Sequence, residues 1–531
     1  MPLQAGLPAP RPIVVFDMAF KSASDYRAKV SVTNAGRFLS AALRQEGIAT
    51  PYFLNRPLRE SGARRIAFPD GMRAGERPLI FALSLYDILF AEAQEETEII
   101  KDLYPGAKIM IGGPSVNATQ NLMRLVPFFP HADAFVKGDG EGVIGGVVRA
   151  LGRGWLEPIK GAYIRNDGFE YLNNDTAVLD RNEFNSMEGV KAYPALIEDL
   201  ERVGRLELST SRGCKYSCAF CVHEYHGRRI DWTAERIVEE LWRIKGMVGR
   251  GILPPAALRI EFVDDDFFQR RRRALDFLEL VAADPALRNS FSFSYTSSVG
   301  SLLRRGEVDV ELLDAIARVR TRQIAIGTDG FHQSTLEALK GGTYTWDQAR
   351  LVMKELHARR IGQTHFVILT HPGITRLELL ETFRNMTKVL LGFGSTLRLT
   401  IGNIYASALE GSPLMDDALA RNVPETIDND AGDVKVLPLH CQLTDKTLNR
   451  WLLHALWQPF FNGKRDRRRL ARLGRSMPVV KKFLRLRKKH LPDKATVYQA
   501  LRNESDNSLI QAIAIAELLK SYRRFFGGRP S

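Results

Sequence analysis

The chain has little cysteine, no long apolar run and no leader-like start, and each absence excludes a class of protein. Only four cysteines occur in 531 residues, too few for a disulfide framework. No run of about 18 consecutive apolar residues occurs, so a membrane-spanning helix is not expected. Residues 1–12 lack the charged and then apolar pattern of a signal peptide. We therefore expect a cytoplasmic protein without a transmembrane segment.

Most of the net charge lies in one segment. Hydrophobic residues make up 45% and charged residues 26% of the chain, which is ordinary for a globular protein and excludes a disordered one. The net charge is +14, and +12 of it lies between Lys464 and Lys489. Such a segment could bind nucleic acid or an anionic membrane, but no pattern of stacking aromatic residues accompanies it. We interpret it as a solvated helical face or a cover over an acidic surface, and we do not expect nucleic-acid binding.

Short apolar runs alternate with helical patterns over the first 155 residues. The apolar runs are Ile13–Phe16, Leu79–Leu83, Lys108–Ile111 and Ala134–Val136, and the helical patterns are Ala35–Gln45, Leu89–Leu103, Asn117–Val126 and Val143–Leu151. This alternation is typical of an α/β fold with a doubly wound, Rossmann-like parallel sheet, whose ligands bind beyond the carboxyl ends of the strands. Residues 156–202 are predicted to be a connector, in which Asn166–Gly168 marks a hairpin.

A second series of strand and helix patterns begins near residue 203. Its six strand candidates are separated mostly by helices, which predicts a partial (β/α)6 barrel. The strand candidates are Arg205–Ser209, Arg259–Val263, Phe291–Tyr295, Gln323–Ile326, His365–Leu369 and Leu397–Ile401, and the helices include Ala234–Lys245, Arg272–Ala283, Val310–Arg318 and Thr345–Arg359. The predicted domains are therefore 1–155, the connector 156–202, the barrel 203–415 and a basic, mostly helical region 416–531.

Three of the four cysteines, Cys214, Cys218 and Cys221, follow the first strand candidate of the barrel. Their C-x3-C-x2-C spacing can bind three irons of a cubane cluster and leave the fourth iron open. A structural zinc site with His223 or His226 as the fourth ligand is the alternative, although no second knuckle of zinc ligands occurs. A set of inert, packed cysteines is disfavoured because polar residues separate them.

The cysteine loop resembles that of the radical S-adenosylmethionine superfamily, which has this spacing and commonly an aromatic residue, here Phe220, before the last cysteine. Four later regions are similar to strand motifs of the same family. They are Glu261–Phe267, Ala325–Gly330 with Leu339–Gly342, Phe366–Gly373 and Leu409–Leu414. The sequence has Asp329 where the family usually has glutamate, and Glu410 where it usually has proline.

This resemblance implies that a [4Fe–4S] cluster on the three cysteines binds S-adenosylmethionine and cleaves its sulfonium to a 5′-deoxyadenosyl radical. It further implies that Phe220, Asp264 and Asp329 contact S-adenosylmethionine, the two carboxylates as acceptors for its amino group and ribose hydroxyls. The alternatives are a helix N-cap for residues 264–266 and a solvated turn for Asp329. An external electron donor of flavodoxin or ferredoxin type is implied as a partner.

The first domain resembles the cobalamin-binding domain that precedes many radical S-adenosylmethionine domains. The implied cobalamin contacts lie on three loops that follow strand candidates. They are Ser84, Leu85, Tyr86 and Asp87, then Gly112, Gly113 and Pro114, then Gly138, Gly140 and Glu141. The D-x-H-x-x-G motif of other cobalamin proteins is absent, so no histidine from it would bind cobalt. A G-x-G-x-x-G match at Gly140–Gly145 leaves nicotinamide or flavin binding as one alternative, and a sheet that only supports the barrel is another.

Together these resemblances imply a cobalamin-dependent radical S-adenosylmethionine enzyme that methylates an unactivated carbon of a natural-product intermediate, a peptide or a lipid. A radical cyclase or rearrangement enzyme of the same architecture is the alternative. A non-catalytic iron–sulfur or nucleic-acid-binding protein is the alternative from another class. The substrate cannot be read from the sequence, because pocket residues are scattered over the strand ends. Cys441, beside His440, is interpreted as a buried thiol.

Overall fold

The computed structural model of the protein describes much of the chain up to residue 414. The described residues are 12–17, 34–45, 47, 52–53, 58, 65–66, 78–85, 90–119, 121–153, 158–166, 169–186, 204–221, 229–371, 374–393, 395–405, 408–409, 412–414 and 436–437. The basic segment Lys464–Lys489, Cys441 and nearly all of the predicted helical region 416–531 lie outside the described residues. Among the helices that are described, none is both long and apolar enough to cross a membrane.

The first sheet has seven strands and is mostly parallel. The strands are β1 (Ile13–Asp17), β2 (Tyr52–Phe53), β3 (Leu79–Ser84), β4 (Lys108–Gly112), β5 (Ala134–Val136), β6 (Ala162–Asn166) and β7 (Phe169–Leu172). Their order is β2-β1-β3-β4-β5-β6-β7, and the first five are parallel. The direction of winding reverses between β1 and β3, where a doubly wound sheet opens a ligand crevice at its carboxyl edge. The predicted Rossmann-like sheet is confirmed.

The last two strands of this sheet come from the predicted connector. β6 and β7 form an antiparallel hairpin, and β6 pairs antiparallel with β5. The hairpin that the Asn166–Gly168 signal indicated is therefore present, although residues 167–168 themselves lie outside the described residues. The connector thus extends the first sheet before the chain continues to the barrel.

Helices cover both faces of the first sheet. They are Asn34–Gln45, Phe90–Leu103, Pro114–Ala118 and Ile144–Arg153, with Arg181–Ser186 following the hairpin. Side chains alternate between the faces of a strand, so β3 sends Phe81 into one buried cluster and Ile80 into the other. The predicted helix Asn117–Val126 is wrong in its bounds. Thr119 is extended after Ala118, and the Asn121 side chain caps a new 3-10 turn by accepting the Met123 N–H.

The second half of the described chain contains a partial barrel with an all-parallel, six-stranded sheet. The strands of this half in chain order are β8 (Leu206–Leu208), β9 (Ser211–Arg212), β10 (Ile230–Asp231), β11 (Arg259–Phe262), β12 (Ser292–Ser298), β13 (Leu303–Arg304), β14 (Glu307–Val308), β15 (Thr321–Asp329), β16 (Gly362–Thr370), β17 (Leu397–Tyr405), β18 (Ala408–Leu409) and β19 (Val436–Leu437). Six of them form one sheet in the order β17-β16-β15-β12-β11-β8, and the others pair as short ribbons. All six predicted barrel strands and the predicted fold class are confirmed.

The barrel helices lie between these strands and pack against the outward side chains of the sheet. They are Ala234–Gly249, Arg271–Ala283, Pro285–Ser290, Val310–Arg318, Gln333–Lys340, Trp346–Ala358 and Arg376–Phe393. The hydrophobic cluster that they form with the strands also includes Phe38, Leu179 and Phe184, which precede the barrel in the chain. The first domain and the barrel therefore share one buried apolar cluster, and their relative position is part of the fold.

Gly138, directly after β5, has a backbone conformation that excludes other residues. Its φ is +97°, and a Cβ there would lie 2.1 Å from the carbonyl oxygen of Ala177, its partner in an isolated bridge. We expect Gly138→Ala to lower the free energy of unfolding by roughly 3 kcal/mol or more, because backbone strain adds to a clash. Gly106→Ala, whose Cβ would meet no atom within 4 Å, is the control. Calorimetry measures the difference, and equal melting temperatures of the two variants would contradict this expectation.

Candidate functional site

The three clustered cysteines lie at the carboxyl end of the first barrel strand. β8 ends at Leu208, and β9 pairs with β10 immediately before Cys214. Cys214 and Cys218 are buried, Cys221 is half-buried, and the Cys221 N–H donates to the Cys218 carbonyl over 3.0 Å. One tight loop therefore presents three thiols at the end of the barrel where ligands bind.

A buried aspartate holds the start of this loop. Asp264 follows β11, and its carboxylate accepts hydrogen bonds from the Thr210 hydroxyl at 2.7 Å and the Ser211 N–H at 2.9 Å. The Arg273 guanidinium lies 3.7 Å from the same carboxylate, whose side chain is completely buried. Both oxygens of Asp264 are engaged in bracing the loop. The sequence predicted that Asp264 contacts S-adenosylmethionine. In that role, Asp264 would have to share its carboxylate oxygens between the loop and S-adenosylmethionine.

The two aspartates that follow brace neighbouring loops. Asp265 accepts the Gly213 N–H at 2.9 Å. Asp266 lies at the N-cap of a 3-10 turn, as the alternative for 264–266 anticipated, but its side chain does not cap that turn. It instead accepts the Ser301 hydroxyl at 2.7 Å, beyond β12. Burial raises the pKa of Asp266 to about 6, and the bond from Ser301 acts in the opposite direction. Three consecutive carboxylates thus bind three different segments of the chain at one barrel edge.

Two side chains donate hydrogen bonds to cysteine sulfurs. Gln269 Nε2 lies 3.3 Å from Cys214 Sγ, and Lys340 Nζ lies 3.4 Å from Cys218 Sγ. Donors in this position stabilise negative charge on a sulfur that binds a metal. Neither residue was predicted from the sequence as part of the site, although Lys340 lies within the Leu339–Gly342 motif. No local pattern marks Gln269, because only the barrel brings it to the loop.

Lys340 also brings together two of the predicted S-adenosylmethionine contacts. Its Nζ lies 2.6 Å from Asp329 and 5.4 Å from the centroid of the Phe220 ring. Burial by itself lowers the pKa of Lys340, but Asp329, Tyr344 and Cys218 together outweigh burial and raise the pKa well above the usual value. Asp329 is buried at the end of β15 with a φ of +56°, so it is not a solvated turn. A cationic amine, a carboxylate and an aromatic ring therefore adjoin Cys218.

The donor set fits an iron–sulfur cluster. Burial raises the pKa of Cys214, and burial together with the nearby Cys218 raises the pKa of Cys221 to about 12, so these thiols ionise readily only beside added positive charge. Bound metal supplies that charge and deprotonates its thiol ligands. Within the described ranges, no three His, Cys, Asp or Glu side chains are close enough to share a single metal ion. The alternative zinc ligands, His223 and His226, lie outside those ranges.

The predicted cobalamin contacts after β3 and β4 lie at the carboxyl edge of the first sheet. Ser84 ends β3, Gly112 ends β4, and the Leu85 N–H donates to the Gly112 carbonyl over 2.7 Å. Gly113 has a φ of +102°, and a Cβ there would lie 2.7 Å from Ser84 Oγ. Pro114 begins the next helix. The structure places the two loops side by side and buries the Leu85 side chain in the core, whereas Tyr86 and Asp87 lie outside the described residues.

The third predicted loop faces the barrel. Gly140 packs against Leu39, which a Cβ would approach to 2.9 Å. Glu141 accepts hydrogen bonds on both oxygens from Arg212, which also binds Asp139. Both carboxylates near this loop are therefore paired with one guanidinium. Burial on its own lowers the pKa of Arg212, and the carboxylates outweigh it and raise the pKa.

Comparisons with known proteins agree with this architecture. Residues 208–386 match the family model of the Radical SAM superfamily. The chain is similar in structure to the cobalamin-dependent S-adenosylmethionine radical enzyme OxsB, with a TM-score of 0.66 and 14% identity over 98% of this chain and 79% of that one. It is also similar to the radical S-adenosylmethionine methyltransferase TsrM from Kitasatospora setae, with a TM-score of 0.57 and 17% identity over 78% and 75%. No curated protein matches the sequence. Identities this low show a shared fold.

Asp264 provides a direct test of the brace beneath the cysteine loop. We expect Asp264→Asn to lower the free energy of unfolding by about 3 kcal/mol, because an amide cannot accept all of these hydrogen bonds and Arg273 loses its buried partner. Asp276→Asn is the control, since Asp276 pairs with Arg272, whose side chain is 85% exposed, and should change stability by less than about 0.5 kcal/mol. Urea unfolding of both variants measures the difference. Equal losses would contradict the brace.

Proposed function

We propose that this chain, which contains a radical SAM domain at residues 208–386, is a cobalamin-dependent radical S-adenosylmethionine enzyme that transfers a methyl group to an unactivated carbon. The bound cofactors would supply the chemistry, namely reductive cleavage of S-adenosylmethionine and a methyl group carried on cobalt. The residues of the chain would hold and orient these groups between the two α/β domains. The substrate would be a small molecule, a peptide or a lipid, and a flavodoxin or ferredoxin would donate electrons.

The observation that carries the proposal is the cysteine loop at the carboxyl end of the first barrel strand. Its three thiols lie on one turn, and two of them accept hydrogen bonds from Gln269 and Lys340. Three ligands on one loop leave a fourth corner of a cubane open to a co-substrate. Within this proposal, Phe220 and Asp329 contact S-adenosylmethionine, and Asp264 contributes by holding the loop.

The inner face of the barrel supports a substrate site above its centre. The sheet register places Thr296 beside Ala325, and Ala325 beside Thr364, on neighbouring strands. Barrel interiors are usually filled by bulky branched side chains, whereas these positions carry small ones. Phe366, on β16, is 39% exposed although its neighbours in the strand are buried. Small side chains on the inner face and the exposed Phe366 ring leave room for an organic substrate near the cysteine loop.

For cobalamin, we propose the carboxyl edge of the first sheet. Ser84, Gly112, Gly113 and Pro114 line the ends of β3 and β4, next to the point where the winding of the sheet reverses. Backbone without large side chains permits close approach by a flat macrocycle. The same edge reaches the barrel through the loop that contains Gly138 and Gly140.

A radical rearrangement or cyclisation is the second candidate. The similarity to the radical enzyme OxsB, whose description does not name methyl transfer, extends over 98% of this chain, whereas the similarity to the methyltransferase TsrM extends over 78%. Both reactions would use the same cysteine loop. They differ in their products, because methyl transfer consumes a second S-adenosylmethionine and releases S-adenosylhomocysteine.

Anaerobic incubation with reductant, hydroxocobalamin and S-adenosylmethionine tests the proposal. We expect 5′-deoxyadenosine and S-adenosylhomocysteine from the reconstituted protein. Cys218→Ala should lose the brown chromophore, most of the bound iron and both products, because a cluster ligand is missing. Cys441→Ala should keep all of them. Formation of 5′-deoxyadenosine alone favours rearrangement, and reconstituted protein that binds zinc or no metal contradicts both candidates.

Lys340 should set the reduction potential of the cluster. We expect Lys340→Met to lower the midpoint potential by roughly 60 mV or more, a tenfold change for a one-electron couple, because a cation that favours the reduced state is removed and Asp329 remains. Lys215→Met is the control, since Lys215 is exposed on the same loop and its Nζ lies over the Tyr216 ring. Potentiometric titration followed by EPR measures both. An unchanged potential in Lys340→Met would show that Lys340 does not tune the cluster.

A further inference from the structure

A half-buried arginine joins the two domains beside the cysteine loop. Arg212 donates to Asp139 through Nη1 and to both oxygens of Glu141 through its two terminal nitrogens, one of these bonds measuring 3.1 Å. The side chains of Asp139 and Glu141 are each 4% exposed. Asp139 is fixed in turn, because its second oxygen accepts the Leu179 N–H at 2.9 Å. We name Arg212, Asp139 and Glu141 the interdomain clamp.

Aromatic rings enclose the arginine of this clamp. The guanidinium lies 5.7 Å from the Phe38 ring centroid and 5.4 Å from that of Phe184. Trp232 contacts both rings, and its Nε1 donates to the Phe184 carbonyl over 3.0 Å. Phe38 belongs to the first domain, Phe184 to the connector helix and Trp232 to the barrel. All three segments therefore meet around one cation.

The clamp connects the ends of two sheets at which ligands bind. Arg212 ends β9, two residues before Cys214. Asp139 and Glu141 follow β5, at the carboxyl edge of the first sheet. We propose that the interdomain clamp is a positioning device, which fixes the distance and orientation between the cysteine loop and the carboxyl edge of the first sheet. This proposal rests on the proposed function, in which each of these places holds one cofactor.

The chemistry of the clamp suits orientation more than stability. A planar guanidinium that binds a carboxylate through two parallel hydrogen bonds fixes both the separation and the angle of its partners. Buried ion pairs often add little stability over apolar packing, because both charges lose hydration. The apolar cluster around Phe38 and Trp232 already joins the domains. An ion pair in the same place also fixes the relative orientation of the two domains, which apolar contacts do not fix.

The chain offers a matched control for the clamp. Arg271 also bridges two carboxylates, those of Asp309 and Glu311, but all three residues belong to the barrel. Glu141→Gln and Arg212→Lys weaken the interdomain clamp, while Glu311→Gln and Arg271→Lys make the same chemical changes within one domain. Glu141→Gln keeps the shape of the side chain, so it tests the proposal even if Arg212→Lys folds poorly.

The test is a distance measurement between the domains of the full chain. Spin labels would be attached through ketone-bearing unnatural residues at the exposed positions Glu98, in the first domain, and Lys354, in the barrel. Pulsed EPR gives the distance distribution for each variant. We expect the distribution to widen at least twofold in Glu141→Gln and Arg212→Lys and to stay unchanged in Glu311→Gln and Arg271→Lys. Unchanged widths in all four variants, or equal widening in all four, would overturn the proposal.

A second measurement separates this proposal from the proposed function. In protein loaded with cob(II)alamin and a reduced cluster, the spin–spin coupling per bound cobalamin should fall at least twofold in Arg212→Lys, while the iron content stays at the wild-type level. Unchanged coupling in a variant with a widened label distribution would overturn the positioning role. Failure of the wild-type protein to bind cobalamin would count against the proposed function, and the label distances would still decide whether the clamp orients the domains.

Discussion

The geometry of the cysteine loop depends on buried carboxylates that follow the second barrel strand. Asp264 and Asp266 are buried and recover hydrogen bonds from the chain before the loop and from the turn after β12, and the exposed Asp265 accepts one from the loop itself. A buried carboxylate without partners would cost several kcal/mol, so Asp264 and Asp266 need these hydrogen bonds. The three aspartates thereby connect adjacent strand ends to the cysteine loop.

The cations Lys340 and Arg212 near the cysteine loop each pair with specific carboxylates. Lys340 lies between Asp329 and Cys218, and its amine binds both the carboxylate and the sulfur. Arg212, two residues before Cys214, is neutralised by Asp139 and Glu141. Burial raises the pKa values of Cys214 and Cys221, which matches a site whose positive charge would arrive with a metal.

The two α/β units are parts of one structure. The connector adds β6 and β7 to the first sheet and then places Phe184 in the apolar cluster of the barrel. Both sheets direct carboxyl-edge loops to the junction, where Arg212 joins them. Under the proposed function, this junction would lie between the two cofactor sites.

The sequence by itself determined the fold class, the six barrel strands, most helices and the position of the three cysteines. These features depend on local periodicity and on the spacing of neighbouring residues, and both can be recognised in the linear sequence. It also identified Asp329 as a candidate contact of S-adenosylmethionine, and the loop Gly138–Glu141 as a candidate contact of cobalamin. Only the tertiary structure decided what they contact. Lys340 lies 122 positions from Cys218, and Glu141 lies 71 positions from Arg212. Such pairs depend on strand order and on the packing between domains, which no local pattern encodes. For the same reason the role of Asp264 as a brace, and the partners of Arg212, became visible only in the folded chain.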